Sequence, residues 1–165
     1  MRPMHVNWNI RHAALLGLAL LSLVFPVSVA RAAEPRTIVK SGSYDDVHFE
    51  LNNAIIVRGL NISGVGNLNA MLERTGADVG STTEIYKSAE YISFCSAKLS
   101  RRMMEADARN IAFCPFILFI YETVAKPGEV VVGYRIPEGR GDSGSRAALA
   151  DAEKMLESII QDATK

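Results

Sequence analysis

The chain has 165 residues, 48% of them hydrophobic and 22% charged, with 18 basic residues balanced by 18 acidic ones. That balance excludes the strongly basic surface of a nucleic-acid binder. There is no long run of like charge to act as an interaction tail and no internal repeat at the usual periods.

The first segment reads as an address. Arg2 and Arg11 make a positive start without acidic residues, and residues 13–30 form an uncharged apolar run, the pattern of a secretory signal. Ala30 and Ala32 place small residues where a signal peptidase reads, which predicts cleavage before Ala33. A retained anchor is the rival reading, because the run sits at the lower edge of a bilayer span. Pro26 and the small-residue site count against it. No cysteine follows closely enough for a lipoprotein anchor, and no twin arginine stands in the leader to mark the folded-export route. The expected location is periplasmic or secreted, with no stable membrane anchor after cleavage.

Removing residues 1–32 leaves 133, the size of one domain with its own core. Arg2, Arg11 and Arg31 leave with the leader, so 15 basic residues face 18 acidic ones, a net charge of −3. The remaining chain keeps one histidine, His48, and no tryptophan. It also keeps Cys95 and Cys114, and an even cysteine count in an oxidising compartment makes a Cys95–Cys114 disulfide the default expectation.

Residues 37–40 read as a first strand. Ser43, followed by Tyr44, Asp45 and Asp46, predicts a capped helix reaching Arg58, because a Ser oxygen accepts a free N–H of the first turn and acidic residues favour its positive end. Val47, Leu51, Ala54, Ile55 and Arg58 share one face, and Gly59 is a natural stop. Phe49 and Ile56 form a second apolar stripe that would be costly to leave in water. A strand over 60–65, broken by Gly64 and Gly66, leads to Asn67, a cap for a short helix carrying Leu68, Met71 and Leu72. Residues 75–83 read as a polar connection.

Residues 90–95 predict a strand with Tyr91, Ser93 and Cys95 on one side and Ile92 and Phe94 on the other. Ser96 caps a helix over 97–106 whose inner face is Leu99, Met103 and Ala106. The apolar run 116–121 predicts a central strand covered on both faces. Lys126, Pro127, Gly128 and Glu129 suit a type II turn, returning a hairpin strand over 130–135. Residues 138–145 read as a flexible linker. Beyond it Leu149, Ala152, Leu156, Ile159 and Ile160 define an amphipathic helix within 146–165, which either packs back or meets another chain.

Four pieces stand out together: Ala89-Glu90 leading into Ser93-Phe94-Cys95-Ser96-Ala97, then Met104-Glu105-Ala106-Asp107, Asn110 with the stretch to Pro115, and Gly128-Glu129 with the stretch to Tyr134-Arg135. In this combination the chain resembles the exported branch of the domain of unknown function 302 family. Phe94 and Pro115 fit the wider family, while Cys95 and Cys114 mark a branch. The resemblance covers residues 37–137, within a domain expected over 33–137. It implies a two-layer α+β domain, helices on one face of a mainly antiparallel sheet, and commonly a homodimer. It implies no established activity, catalytic residue or cofactor.

The cysteines frame a strand–helix–strand unit. A ten-residue helix is only about 15 Å long, and the loop behind it is long enough to bring Cys114 back beside Cys95. A bridge there would contribute on the order of 3 kcal/mol. A thiol-redox role requires an exposed sulfur of low pKa, which the helix start after Ser96 could promote at Cys95; without a Cys-x-x-Cys motif, thioredoxin-like exchange is disfavoured. A soft ion such as Cu(I) could use Cys95 and Cys114 with Met103, Met104 or His48. Against this, Met103 lies on the core stripe, Met104 points about 100° away, and His48 borders an apolar face. Arg140-Gly141-Asp142 spells an adhesion tripeptide, in a setting better suited to Asp142 or Ser143 starting the last helix. No phosphate loop, haem attachment signature or hydrolase nucleophile motif is present. The sequence therefore points to a non-enzymatic ligand- or partner-binding domain, with thiol or soft-metal chemistry as the alternative.

Overall fold

The structure, a computed structural model, describes residues 34–139 and 141–165. The expected leader and Arg140 of the tripeptide lie outside the described residues. Five strands make one sheet: β1 (Arg36–Ser41), β2 (Asn61–Asn67), β3 (Tyr86–Cys95), β4 (Phe116–Thr123) and β5 (Glu129–Tyr134), in the order β1-β5-β4-β3-β2. Every neighbouring pair is antiparallel. The helices are α1 (Tyr44–Ile56), α2 (Leu68–Thr75), α3 (Ala97–Ala106) and α4 (Ser143–Ala163), with a 3-10 segment at Ala108–Phe113 between α3 and β4. This is the two-layer α+β arrangement expected.

The core lies between one face of the sheet and helices α1, α3 and α4. Ile92 and Phe94 of β3, Phe116, Leu118 and Ile120 of β4, and Val130, Val132 and Tyr134 of β5 alternate inward, as the two-residue period of a strand requires. Val47, Leu51, Ala54 and Ile55 meet them from α1, and Met103 from α3. Helix α4 packs against both α1 and α3, burying Ala148, Leu149, Ala152, Leu156, Ile159, Ile160 and Ala163. It packs back on the domain. Polar contacts fix it there: Arg58 donates to Ser158 Oγ at 2.6 Å and pairs with Asp162, while buried Asn110 donates to Ser145 Oγ at 2.9 Å and to Met103 O at 2.8 Å.

Local details depart from the sequence reading in four places. Ser43 occupies the N-cap of α1, but its side chain makes no capping bond. Strand β2 runs through Gly64 and Gly66 rather than breaking there, because both lie opposite β3 residues, Ser93 and Tyr91, whose side chains use the free space. The predicted linker is packed: a Cβ on Gly139 would come within 2.4 Å of Leu149 Cδ1. Asp142 accepts from Ser145 N at 2.8 Å and starts α4 at Ser143, the start read for it in the sequence, so the helix takes up the last part of that linker. Finally β4 is the central strand but is covered on one side only, with Ile117 47% exposed.

Candidate functional site

The uncovered side of the sheet is the largest feature that sequence reasoning missed. Strand alternation and register put Val39 of β1, Val131 of β5, Ile117, Phe119 and Tyr121 of β4, and Tyr91 of β3 on it. Val39 is 57% exposed and Tyr91 38%, and Phe119, Tyr121 and Val131 are half-buried. These are large apolar or aromatic side chains without a helix over them. Two glycines set their posture. A Cβ on Gly66 would meet the Tyr91 ring at 2.0 Å, and one on Gly133 would meet the Phe119 ring at 2.5 Å. Each ring therefore lies across the bare backbone of the adjacent strand instead of standing away from the sheet. Phe119 and Tyr121 stack at 6.2 Å between centroids, and Tyr86 meets Tyr121 edge-on at 5.4 Å. The result is an uncharged aromatic surface on β3 and β4, continued by Val131 and Val39.

The second feature is the cysteine pair. Cys95 ends β3 and is exposed; Cys114 follows the 3-10 segment and is half-buried. The sheet does bring them near each other, since the β3–β4 register pairs Phe94 with Phe116, next to the two cysteines in the chain. The expected disulfide is not formed, however: both are free thiols. Ser100 Oγ lies 3.1 Å from Cys114 Sγ, giving that sulfur a local polar partner one turn into α3. The low Cys95 pKa that a thiol-redox role requires is not found: the shift is upward. Desolvation pushes the thiol up, and the neighbouring Cys114 adds to it. Ser96 caps α3 with its own oxygen, accepting from Leu99 N at 3.4 Å, so part of the helix start is already occupied.

The weaker metal candidates do not join this pair. Met103 is fully buried in the core. His48 projects from α1, with Nε2 3.0 Å from Glu90 Oε2 on β3, and its ring stacks on Tyr44. Among the described residues no group of three or more His, Cys, Asp or Glu is arranged to hold a metal ion. No helix among them is long and apolar enough to cross a membrane.

A five-stranded antiparallel sheet with helices packed on one side and the other side open defines a two-layer α+β domain. The family described as domain of unknown function DUF302 matches residues 36–163, and the chain belongs to that family. The match takes in α4, beyond the span legible from motifs alone. The crystal structure of an uncharacterized conserved DUF302 protein from Bacillus stearothermophilus is similar, with a TM-score of 0.63 at 16% identity, over 79% of this chain and 98% of that one. Such distant identity speaks for the shared fold. No curated protein matches the chain.

Proposed function

We propose that this is an exported, non-enzymatic interaction domain that pairs with a second copy of itself through the open face of its sheet. The observation that carries the reading is the uncharged aromatic surface on β3 and β4. Five strands spaced about 4.8 Å apart and about 20 Å long offer roughly 480 Å² of plan area per copy, so two copies approach the roughly 1,000 Å² of a specific interface before surface relief is counted. An open apolar face suits the same face on another copy, because a two-fold interface needs only self-complementarity. The absence of charge from its middle favours an apolar occupant over an ionic one. Light scattering on the purified protein at micromolar concentration tests this: twice the chain mass supports pairing, and a single-chain mass overturns it.

A second reading rests on the two adjacent free thiols. In an oxidising compartment they can close into the Cys95–Cys114 bridge, which would then staple the end of β3 to the start of β4 as the expected structural disulfide. Thiol titration with and without reductant distinguishes a bridged from an open pair. The raised Cys95 pKa argues against rapid thiolate chemistry near neutrality.

A further inference from the structure

We propose that Tyr44, His48, Asn52 and Glu90 form a binding site for a small primary ammonium carrying an apolar tail, with His48 as its displaceable cover. The site stands apart from the pairing of sheet faces, because Glu90 points to the helix-covered side, in alternation with Ile92 and Phe94.

Tyr44, His48 and Asn52 are spaced four apart on α1 and so form one stripe along it. Helix α4 lies against β1 and β5, toward the opposite edge of the sheet from β2 and β3. The stripe therefore lies on the side away from α4, where Glu90 rises from β3 and Asn67 of β2 donates to its Oε1 at 3.4 Å. His48 occupies the middle of this group. Its ring stacks on Tyr44 with centroids 5.9 Å apart, approaches Asn52 Nδ2 at 3.3 Å, and meets Glu90 at 3.0 Å.

Both residues that touch the His48 ring carry a buried polar atom with no partner, Tyr44 its Oη and Asn52 its Oδ1. Folded proteins rarely leave such atoms unpaired, since each gives up its bonds to water without replacing them. Two of them on residues that both touch one histidine mark a place where a ligand recovers what the empty protein loses. Asn52 Oδ1 can only accept a hydrogen bond, Tyr44 Oη can accept one, and the Glu90 carboxylate accepts and carries the charge. Three acceptors match the three N–H groups of a primary ammonium. The imidazole of His48 already holds such a donor's place against Glu90 and swings aside when one binds.

Charge favours a cation and disfavours an anion. Burial foremost, then the charges of Glu90 and Asp45, push the Tyr44 hydroxyl well above its ordinary pKa, so it stays neutral in a negative field. An anionic group would face the same carboxylates and could offer no hydrogen to Asn52. The apolar tail has its own place. Phe49 and Ile56, 67% and 58% exposed, follow Asn52 around the circumference of α1, and this gives the helix's second apolar stripe a use.

The test is a chemical-shift titration of the isotope-labelled protein with butylammonium, using butanol and butyrate as matched controls. Saturable shifts centred on Tyr44, His48, Asn52 and Glu90, given by butylammonium alone, are expected. Glu90→Gln should weaken binding at least tenfold. Tyr44→Phe, which deletes an unpaired hydroxyl and so leaves the fold at least as stable, should weaken it severalfold. Ile117→Lys, on the far side of the sheet, should bind as the parent does, whether or not the sheet faces pair. Equal shifts with butanol, no saturation, or unchanged affinity in both Glu90→Gln and Tyr44→Phe would overturn the proposal.

Discussion

Replacing Ile117 by Lys places a charge at the centre of the open sheet face without touching the core. Ile117 lies on the central strand with 47% of its surface exposed. Full burial of such a side chain is worth about 1.5–3 kcal/mol, so covering the remaining half gains roughly 1 kcal/mol per copy and about 2 kcal/mol across a two-fold interface. That loss alone raises the dissociation constant about thirtyfold. The unpaired ammonium, trapped between two apolar faces, costs more, bringing the expected weakening to at least about a hundredfold. Because the site is exposed within one copy, the fold itself should lose no more than about 0.5 kcal/mol. Sedimentation velocity over a concentration series measures the first quantity and thermal denaturation of the dilute protein the second. A variant that associates as tightly as the parent would refute the assignment of this face; one that unfolds would show Ile117 to be part of the core instead.

Asn110→Leu should destabilise the chain by about 1–3 kcal/mol, because it leaves Ser145 Oγ and Met103 O without their buried donor; urea denaturation reads this directly. Gly133→Val should be more damaging than Gly66→Ala, since a Cβ at 133 meets the backbone oxygen of Arg36 at 2.5 Å while that at 66 meets only the movable ring of Tyr91, and comparing the two melting temperatures checks the order. Acid should weaken the fold. Hydrogen bonds from Arg109 hold the Asp107 carboxyl down at about 2, and those from Arg102 lower Asp151. Folded pKa values below the unfolded ones mean stability that is complete above the usual carboxylate range near 4 and falls as pH drops toward about 2. Denaturation free energies that rise on acidification would contradict this. With Cys95 pushed upward, its alkylation at neutral pH should be slower than that of a free model thiol and should accelerate on the alkaline side; a rate already maximal at neutrality would show a stabilised thiolate.

The elements most legible in the sequence were those whose apolar spacing and capping residue agreed. Helix α3 begins after Ser96 and ends at Ala106 as read, and Asn67 caps α2 by accepting from Ala70 N at 2.8 Å. Both signals are local, and tertiary packing does not oppose them. The open sheet face was not legible, because the consecutive apolar residues from Phe116 to Tyr121 look the same whether one side of the strand is covered or two. What could have revealed it was Gly66 and Gly133, each facing an aromatic across a strand pair, but a sequence does not show which residues are paired. Proximity of the cysteines was readable from helix length and loop reach, whereas their redox state depends on surroundings and not on spacing. The Glu90 partner of His48 escaped notice because the contact joins residues from separate elements.

The most direct measurement of the central claim is hydroxyl-radical footprinting of Tyr91, Phe119 and Tyr121 in dilute and concentrated protein. Pairing through the open face predicts that all three become protected together as concentration rises, while exposed Phe49 on α1 keeps its reactivity. Reactivity of the three aromatics that does not change with concentration, or protection appearing at Phe49 instead, would contradict it.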